Sequence, residues 1–276
     1  MQVRNLDIAG CNLAQVLLFY PYFRGIVCSS DKTHERNTEM EKTLTNTKKS
    51  NRFMEGCRFL LFGMEVFGVI GFELLWGFVV EPFLYNRGVN DFNTWQMIVH
   101  WVVTCAVWGL GAYAVVKECR EKTGFDLIDN LKKKQFFDKE NRIKAWQWAL
   151  IVIGCILCLV STWIDWNGSK VIAEFHSRGA LLFVFQYIYY LFEVMLVLLI
   201  IIFGQTAFEK WFNNNRIPFG GILVALTWGL GHWLSKGSLG AGLYTAVGGF
   251  VFGSAYLLTN RNIKLSYILL CIMFIL

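Results

Sequence analysis

Residues 180–204 read ALLFVFQYIYYLFEVMLVLLIIIFG, an apolar run in which Glu193 is the one charged side chain. A helix rises ~1.5 Å per residue, so about 20 apolar residues cross the hydrocarbon of a bilayer. This run therefore predicts a membrane-spanning helix. It also raises the question of what a carboxylate does in the middle of that helix.

The composition extends this interpretation to the whole chain. Of its 276 residues, 55% are hydrophobic and 17% are charged, whereas a soluble domain carries about a quarter charged residues. With 3 prolines and no low-complexity linker, the sequence predicts an all-α, polytopic transmembrane helix bundle with one membrane domain. The net charge of +6 comes from basic residues beside apolar runs, so we expect the lipid bilayer as a partner and no nucleic acid.

Seven apolar runs are candidates for membrane spans. The first four are long enough to cross a bilayer, the fifth and sixth are rich in glycine and marginal in length, and the seventh is short. They occupy residues 59–80, 95–116, 146–164, 180–204, 218–234, 240–258 and 265–276.

Lysine and arginine are distributed unevenly between the loops. Segments 41–58, 117–144, 205–217 and 259–264 together hold 18 of them, and the alternate loops hold 4. Because cytoplasmic loops carry an excess of Lys and Arg, the N-terminus and these four segments are predicted to be cytoplasmic. Segment 117–144 also holds six acidic residues, which is typical of a mixed-charge hairpin or an amphipathic helix.

Residues 1–58 precede the predicted membrane domain, which covers 59–276. The early stretch LAQVLLFYPYF is too short to span a bilayer and lacks the cleavage pattern of a signal peptide. From Met40 onward the sequence is typical of a cytoplasmic N-terminus. Glu35 and Arg36 can be encoded by a purine-rich run that resembles a bacterial ribosome-binding site. We therefore expect translation to start at Met40, with 1–39 as translated leader.

Ionisable side chains inside the spans are the candidates for function, because a charge at mid-bilayer costs at least ~2.5–3.5 kcal/mol on insertion scales. They are Glu65, Glu73, His100, Glu193 and His232, with Glu209 near the end of a span. Glu65 and Glu73 lie close to one face of the first span, and His100 is placed to meet Glu73. We interpret these three as members of interhelical hydrogen bonds.

The depth of His232 in the membrane can be compared with that of each carboxylate. Asparagines and a proline mark a turn between the fourth and fifth spans; Glu193 lies 19 residues before Phe212 and His232 lies 15 after Ile217. The difference of four residues is ~6 Å along the axis. Glu209, three residues from the turn, would lie ~18 Å shallower than His232. We therefore predict that Glu193 partners His232.

Glycines surround this histidine in the stretch ALTWGLGHW, residues 225–233. Gly229 and Gly231 remove side-chain bulk, which allows another backbone or a substrate to approach closely. The sixth span carries Gly249-x-x-x-Gly253, a small-residue face of the same kind. Packing alone explains such faces equally well, so both interpretations stay open.

Residues 180–276 resemble the CAAX-protease and bacteriocin-processing (CPBP) family of intramembrane proteases. The family pattern is Glu-Glu-x-x-x-Arg, then an aromatic-x-x-x-His, then His-x-x-x-Asn. Here WGLGH supplies the second part, with Trp228 as the aromatic residue and His232 as the histidine. The acidic part is reduced to Phe208-Glu209 followed by Asn213, and the third part falls on Cys271 and Ile275.

The resemblance implies two functions, and a third remains as an outside alternative. In an intramembrane endopeptidase, Glu193 or Glu209 would be the general base and His232 would polarise the attacking water. A non-catalytic, immunity-type relative would keep the cavity and bind a membrane-embedded peptide or partner. A proton-coupled or small-molecule transporter would need a polar path through most of the bilayer, and the sequence offers only isolated groups. In each case we expect a multi-pass protein of the bacterial cytoplasmic membrane.

No cofactor is expected from the sequence, and whether a metal binds stays open. The His-Glu-x-x-His pair of metal proteases is absent. Cys155-x-x-Cys158 lies inside an apolar run without a histidine nearby. We interpret this pair as two small core residues rather than a redox or metal site.

Overall fold

The computed structural model describes residues 49–133 and 142–276. Its contacts divide the chain into two units, Met1–Arg52 and Phe53–Leu276, and in the first unit the described residues 49–52 are helical. The predicted leader 1–39 and the predicted start at Met40 lie outside the described residues. So does the middle of the predicted cytoplasmic segment 117–144.

Eight helices, numbered here in chain order, and one short 3-10 helix (Val89–Asp91) build the described part of the chain, and no β-strand occurs in it. Helix α6 is composite, because a π-turn joins two α-helical pieces without a break. The helices are α1 (Lys49–Tyr85), α2 (Thr94–Thr123), α3 (Leu127–Lys133), α4 (Ala145–Asp165), α5 (Lys170–Phe212), α6 (Phe219–Val224, Ala225–Gly229 and Leu230–Lys236), α7 (Leu239–Leu258) and α8 (Ile263–Ile275).

The all-helical prediction is confirmed for these residues. Five helices, α1, α2, α4, α5 and α7, are long and apolar enough to cross a membrane. The predicted fifth span coincides with α6, which the π-turn interrupts, and the seventh coincides with α8, which is only 13 residues long. Segment 117–144 contains the short helix α3, in keeping with its predicted hairpin or helical character.

Helix α5 is the centre of the bundle, and α4 lies at its edge. Of the most apolar 18 residues in each helix, 61% are buried in α5 and 11% in α4. Helix α5 packs against α2, α6 and α8, and its Phe203 contacts Phe62 of α1 with ring centroids 5.8 Å apart. Because α5 is buried on several sides, a polar residue on it must find its partner within the protein.

Helices α6 and α7 cross with their backbones in contact. A Cβ added to Gly253 would overlap the backbone of Gly221, and one added to Gly229 would lie 2.5 Å from the Cα of Ala246. Only hydrogen fits at these two glycines. The small-residue face predicted on the sixth span is therefore used for packing against α6.

The first turns of α5 fold back on the rest of the helix. At Gly179 the backbone leaves the helix with φ 74° and ψ 162°. The hydroxyl of Tyr190 donates to Glu174 Oε1 at 2.7 Å, although 16 residues of straight helix would separate their Cα atoms by ~24 Å. We call residues 170–178 the fold-back helix. The break lies next to residue 180, where the fourth span was predicted to begin.

Candidate functional site

Glu193 of α5 is bonded to Trp228 of α6. The indole Nε1–H of Trp228 donates to Glu193 Oε1 at 2.9 Å, and both residues are buried: Trp228 is 3% exposed and Glu193 is 7% exposed. Burying a carboxylate is costly unless it accepts hydrogen bonds. The indole N–H therefore anchors the central acidic residue of the most buried helix.

His232 lies one helical turn after Trp228 and contacts it twice. Its Nδ1 is 2.9 Å from the carbonyl oxygen of Trp228. A carbonyl only accepts, so Nδ1 carries the hydrogen, and Nε2 keeps its lone pair in the neutral ring. The two rings also meet edge to face, with centroids 4.7 Å apart. These contacts fix both the tautomer and the orientation of the half-buried imidazole.

Glu193 and His232 are thus linked through Trp228 rather than by a bond to each other. Among the hydrogen bonds of the described residues, the Glu193 carboxylate accepts from Trp228 and the His232 ring bonds the Trp228 carbonyl. The Ser235 hydroxyl donates to the backbone carbonyl of His232. The predicted similarity in depth agrees with this arrangement, because both residues contact the same tryptophan. The predicted direct contact is not formed in this structure.

Glu209 forms its hydrogen bonds with residues other than His232. It accepts from Arg261 Nη2 at 2.5 Å and from Gln205 Nε2 at 2.7 Å. The same amide of Gln205 donates to the Ile217 carbonyl, and its oxygen accepts from the Gly220 N–H. Glu209 lies 16 residues after Glu193, or ~24 Å along a helix. Glu209 therefore belongs to the group of hydrogen bonds that stabilises the turn between α5 and α6.

An apolar wall encloses the Glu193–Trp228 contact. It is formed by Val194, Val197, Phe252, Leu270 and Phe274, and the ring of Phe274 lies 5.6 Å from that of Trp228. Such surroundings keep water away and strengthen electrostatic contacts inside. At Gly231, by contrast, an added Cβ would meet nothing within 4 Å. Of the two glycines predicted to make room near His232, Gly229 packs and Gly231 leaves open space.

A second polar cluster surrounds His100 of α2. Its Nδ1 lies 2.6 Å from Glu81 Oε2, and its Nε2 lies 3.9 Å from Glu73 Oε1. Glu73 also accepts from the Tyr189 hydroxyl at 2.7 Å. The predicted neighbourhood of Glu73 and His100 is confirmed, but the closer partner is Glu81. Sequence reasoning missed Glu81 because the first span was predicted to end at residue 80.

A π-turn in α1 brings Glu81 to the histidine. Trp76–Val80 forms this turn, which ends two residues before Pro82. The ring of a proline crowds the preceding helical turn, and proline has no N–H to donate. The helix continues past the turn with Glu81 fully buried. Gly77 faces the imidazole, since a Cβ there would lie 3.2 Å from His100 Cε1. The Glu-Pro pair could have signalled this distortion in the sequence.

A third cluster lies beneath the fold-back helix and was also missed. Lys170 is 8% exposed, donates to the Phe274 carbonyl at 3.1 Å and lies 4.5 Å above the Tyr190 ring. Glu174 accepts from Tyr190 and from Gln186 Nε2. Sequence reasoning treated residues 165–178 as an external loop. Lys170 and Glu174 are four residues apart, as are Gln186 and Tyr190, and residues at this spacing share one face of a helix. Two such polar pairs were the available signal in the sequence.

Within residues 49–133 and 142–276, no group of three or more His, Cys, Asp and Glu side chains is arranged to hold a metal ion. Cys155 and Cys158 are free thiols that pack against the hydrophobic core. Their interpretation as core residues agrees with this environment.

Comparison with known proteins gave no match to a family model, a curated protein or a solved structure.

Proposed function

We propose that this chain is a seven-span protein of the bacterial cytoplasmic membrane with its N-terminal side in the cytoplasm. Support for this topology comes from the distribution of 18 Lys and Arg residues against 4 in alternate loops. The helical segments α6 and α8 supply the two spans beyond the five that satisfy length and hydropathy alone. The α5–α6 turn and the α7–α8 turn then both face the cytoplasm.

Within that membrane, we propose that the protein binds a membrane-embedded peptide or partner on a CPBP-like scaffold without cleaving it. One observation carries this proposal: neither candidate base is bonded to His232, because Glu193 is held by Trp228 and Glu209 by Arg261. A general base must come within hydrogen-bond reach of the water that it activates, directly or through one further water.

The residues at the family's oxyanion positions favour the same conclusion. Cys271 and Ile275 occupy the places of the histidine and asparagine in the resemblance. Loss of one oxyanion donor costs ~3 kcal/mol in the barrier to acyl transfer. Replacing both by a thiol and an aliphatic chain therefore removes most of that stabilisation.

Cleavage can be tested in liposomes that contain the purified protein and a library of synthetic single-span peptides. Mass spectrometry of the peptides after incubation should give the same products for the wild type and for His232→Gln. Products that form with the wild type and disappear with His232→Gln would overturn the non-catalytic proposal. Glu121→Gln, which alters an exposed carboxylate near the end of α2, serves as the matched control and should behave as the wild type.

A second function, intramembrane endopeptidase, is favoured by the tautomer of His232. Donation from Nδ1 to the Trp228 carbonyl leaves the Nε2 lone pair available to accept a proton from water. Glu193 lies across the same tryptophan. Under this alternative, Glu193→Gln and His232→Gln would both abolish peptide products, whereas Glu209→Gln would leave them unchanged.

A further inference from the structure

The polar cluster around His100 joins an enclosed carboxylate to a partly exposed one. Glu81 is 0% exposed and His100 is 4% exposed, whereas the side chain of Glu73 is 29% exposed. The two carboxylates lie at different nitrogens of the imidazole, Glu81 at Nδ1 and Glu73 at Nε2. His100 is therefore the connection between a carboxylate without access to the surroundings and one that has access.

The distances at the two imidazole nitrogens differ. Nδ1 lies within hydrogen-bond distance of Glu81 Oε2, at 2.6 Å, and Nε2 lies 3.9 Å from Glu73 Oε1. The second distance is about 1 Å longer than a hydrogen bond. Because Glu73 is the most exposed of the three side chains, a small rotation of this side chain can bring its carboxylate to Nε2.

The backbone of α1 is shaped around this contact. The π-turn Trp76–Val80 directly precedes Glu81, and π-turns inside α-helices occur frequently at functional sites. Gly77 leaves space beside the imidazole, since an added Cβ would lie 3.2 Å from His100 Cε1 and 3.3 Å from Val89 Cγ2. A distorted turn and a glycine thus both serve the contact between Glu81 and His100.

The cluster contains two carboxylates and one imidazole. The indole of Trp76, which is neutral, interacts with Glu81. The other titratable groups that interact electrostatically with Glu73 come from α2, α5 and α6; they are Cys105, Tyr189, Glu193 and His232. Of these four, His232 is the one that can become positive, and its Nδ1 is bonded to the Trp228 carbonyl. Since buried charges are costly unless they are balanced, binding of a proton lowers the negative charge that the cluster must bury.

An imidazole between two carboxylates can pass a proton from one to the other. The neutral ring carries one N–H and one lone pair, so it can accept a proton at one nitrogen while it releases a proton at the other. The ring of Phe92 meets that of His100 edge to face, with centroids 6.4 Å apart. This contact helps to keep each nitrogen directed at its own carboxylate.

We propose that Glu73, His100 and Glu81 form a proton-binding site in which His100 relays the proton between the enclosed and the exposed carboxylate. In the loaded state Glu81 carries the proton and donates it to Nδ1, while the Nε2–H of the neutral ring faces the Glu73 carboxylate. One proton passes from Glu81 to Nδ1 as another passes from Nε2 to Glu73. This transfer leaves Glu81 ionised, Glu73 protonated and the imidazole neutral. The site does not depend on the proposed peptide binding, because Glu193 and His232 are not members of it.

Infrared spectroscopy on the purified full-length protein in detergent micelles tests the proposal. A protonated carboxyl group has a C=O stretching band that the ionised carboxylate lacks and that shifts when its proton is replaced by deuterium. The wild type should show such a band, which Glu81→Gln removes and a rise in pH reduces. After transfer to D2O, His100→Gln should slow the shift of this band about a hundredfold or more, which is the size of effect that a positioned proton-transfer group has.

Two further variants protect the test against misfolding. Glu73→Gln alters the partly exposed member of the cluster and should also slow the exchange, so it decides the outcome if His100→Gln does not fold. His176→Gln, which alters an exposed histidine of the fold-back helix, is the matched control and should exchange as the wild type does. The proposal is overturned if the wild type has no carboxylic-acid band that responds to pH, if a folded Glu81→Gln keeps the full band, or if folded His100→Gln or Glu73→Gln exchanges at the wild-type rate.

Discussion

At the scale of single residues, the indole of Trp228 organises the candidate site. It donates to the buried carboxylate of Glu193, while its backbone carbonyl accepts from the imidazole of His232. A phenylalanine at this position would supply a ring but no N–H. The N–H of the tryptophan therefore satisfies a buried carboxylate that a ring without a donor would leave unpaired.

Replacing Trp228 by phenylalanine should lower the free energy of unfolding by about 1–3 kcal/mol, because the Glu193 carboxylate loses its donor in a buried site. The measurement is thermal unfolding in detergent. Trp233→Phe is the matched control, since Trp233 is 50% exposed, and it should be close to neutral. Combining Trp228→Phe with Glu193→Gln should recover part of the loss, because the neutral amide costs less to bury. Equal effects at both tryptophans would contradict the assigned role of Trp228.

Double-mutant cycles should separate the two carboxylates. Trp228→Phe and Glu193→Gln share a hydrogen bond and should show a coupling energy of about 0.5–2 kcal/mol. Glu209→Gln and His232→Gln should be additive within ~0.5 kcal/mol, because their side chains have no shared partner in the described residues. Coupling between Glu209 and His232 would instead indicate that the end of α5 bends towards the histidine.

Sequence reasoning predicted the depth of Glu193 and His232, because helical rise converts residue counts into distance. It could not predict the role of Trp228. Both the apolar ring and the N–H of a tryptophan are compatible with an apolar span, and only packing decides which partner the N–H reaches. Glu81 was missed for a related reason: a charge at the end of a span is solvated by default, and the π-turn that buries it comes from backbone geometry.

At the scale of helices, one glycine determines how α5 begins. Gly179 has a left-handed φ of 74°, and a Cβ added there would meet nothing within 4 Å. Any effect of a side chain at this position is therefore conformational rather than steric. The sequence predicted where the span starts, since polar residues end there, but not that residues 170–178 form a helix that folds back.

Gly179→Ala should destabilise the protein by about 1–2 kcal/mol, because a left-handed conformation is strained for a residue with a Cβ. Gly248→Ala is the matched control. Gly248 lies inside α7 in ordinary helical geometry, and a Cβ there also meets nothing within 4 Å. It should be neutral or stabilising by up to ~1 kcal/mol. Unfolding midpoints that shift equally for the two variants would exclude strain at Gly179.

At the scale of the whole molecule, the sequence predicted an all-helical bundle because apolar run length and hydrocarbon thickness are linked by helix geometry alone. The number of crossings is less well determined. Helix α6 is interrupted by a π-turn and α8 has 13 residues, so length does not decide whether they cross. Charge asymmetry is independent of length and supplies the prediction of topology.

Thiol labelling in intact cells tests this topology. In a variant that lacks all 8 native cysteines, Asp165→Cys at the end of α4 should react with a membrane-impermeant maleimide. Glu121→Cys near the end of α2 should react only after the membrane is permeabilised. Both positions are exposed, so access to the reagent depends on the side of the membrane. Labelling of position 121 in intact cells would reverse the orientation.

The exposure of α4 makes this helix sensitive to the thickness of the lipid around it. Of its most apolar 18 residues, 11% are buried, so neighbouring helices constrain its tilt less than they constrain that of α5. Trp146 and Trp163, 56% and 61% exposed, are separated by ~26 Å of helix. Indole rings prefer the headgroup level. We therefore expect α4 to stand more upright in a thicker bilayer and to lean in a thinner one, while the packed α5 keeps its angle.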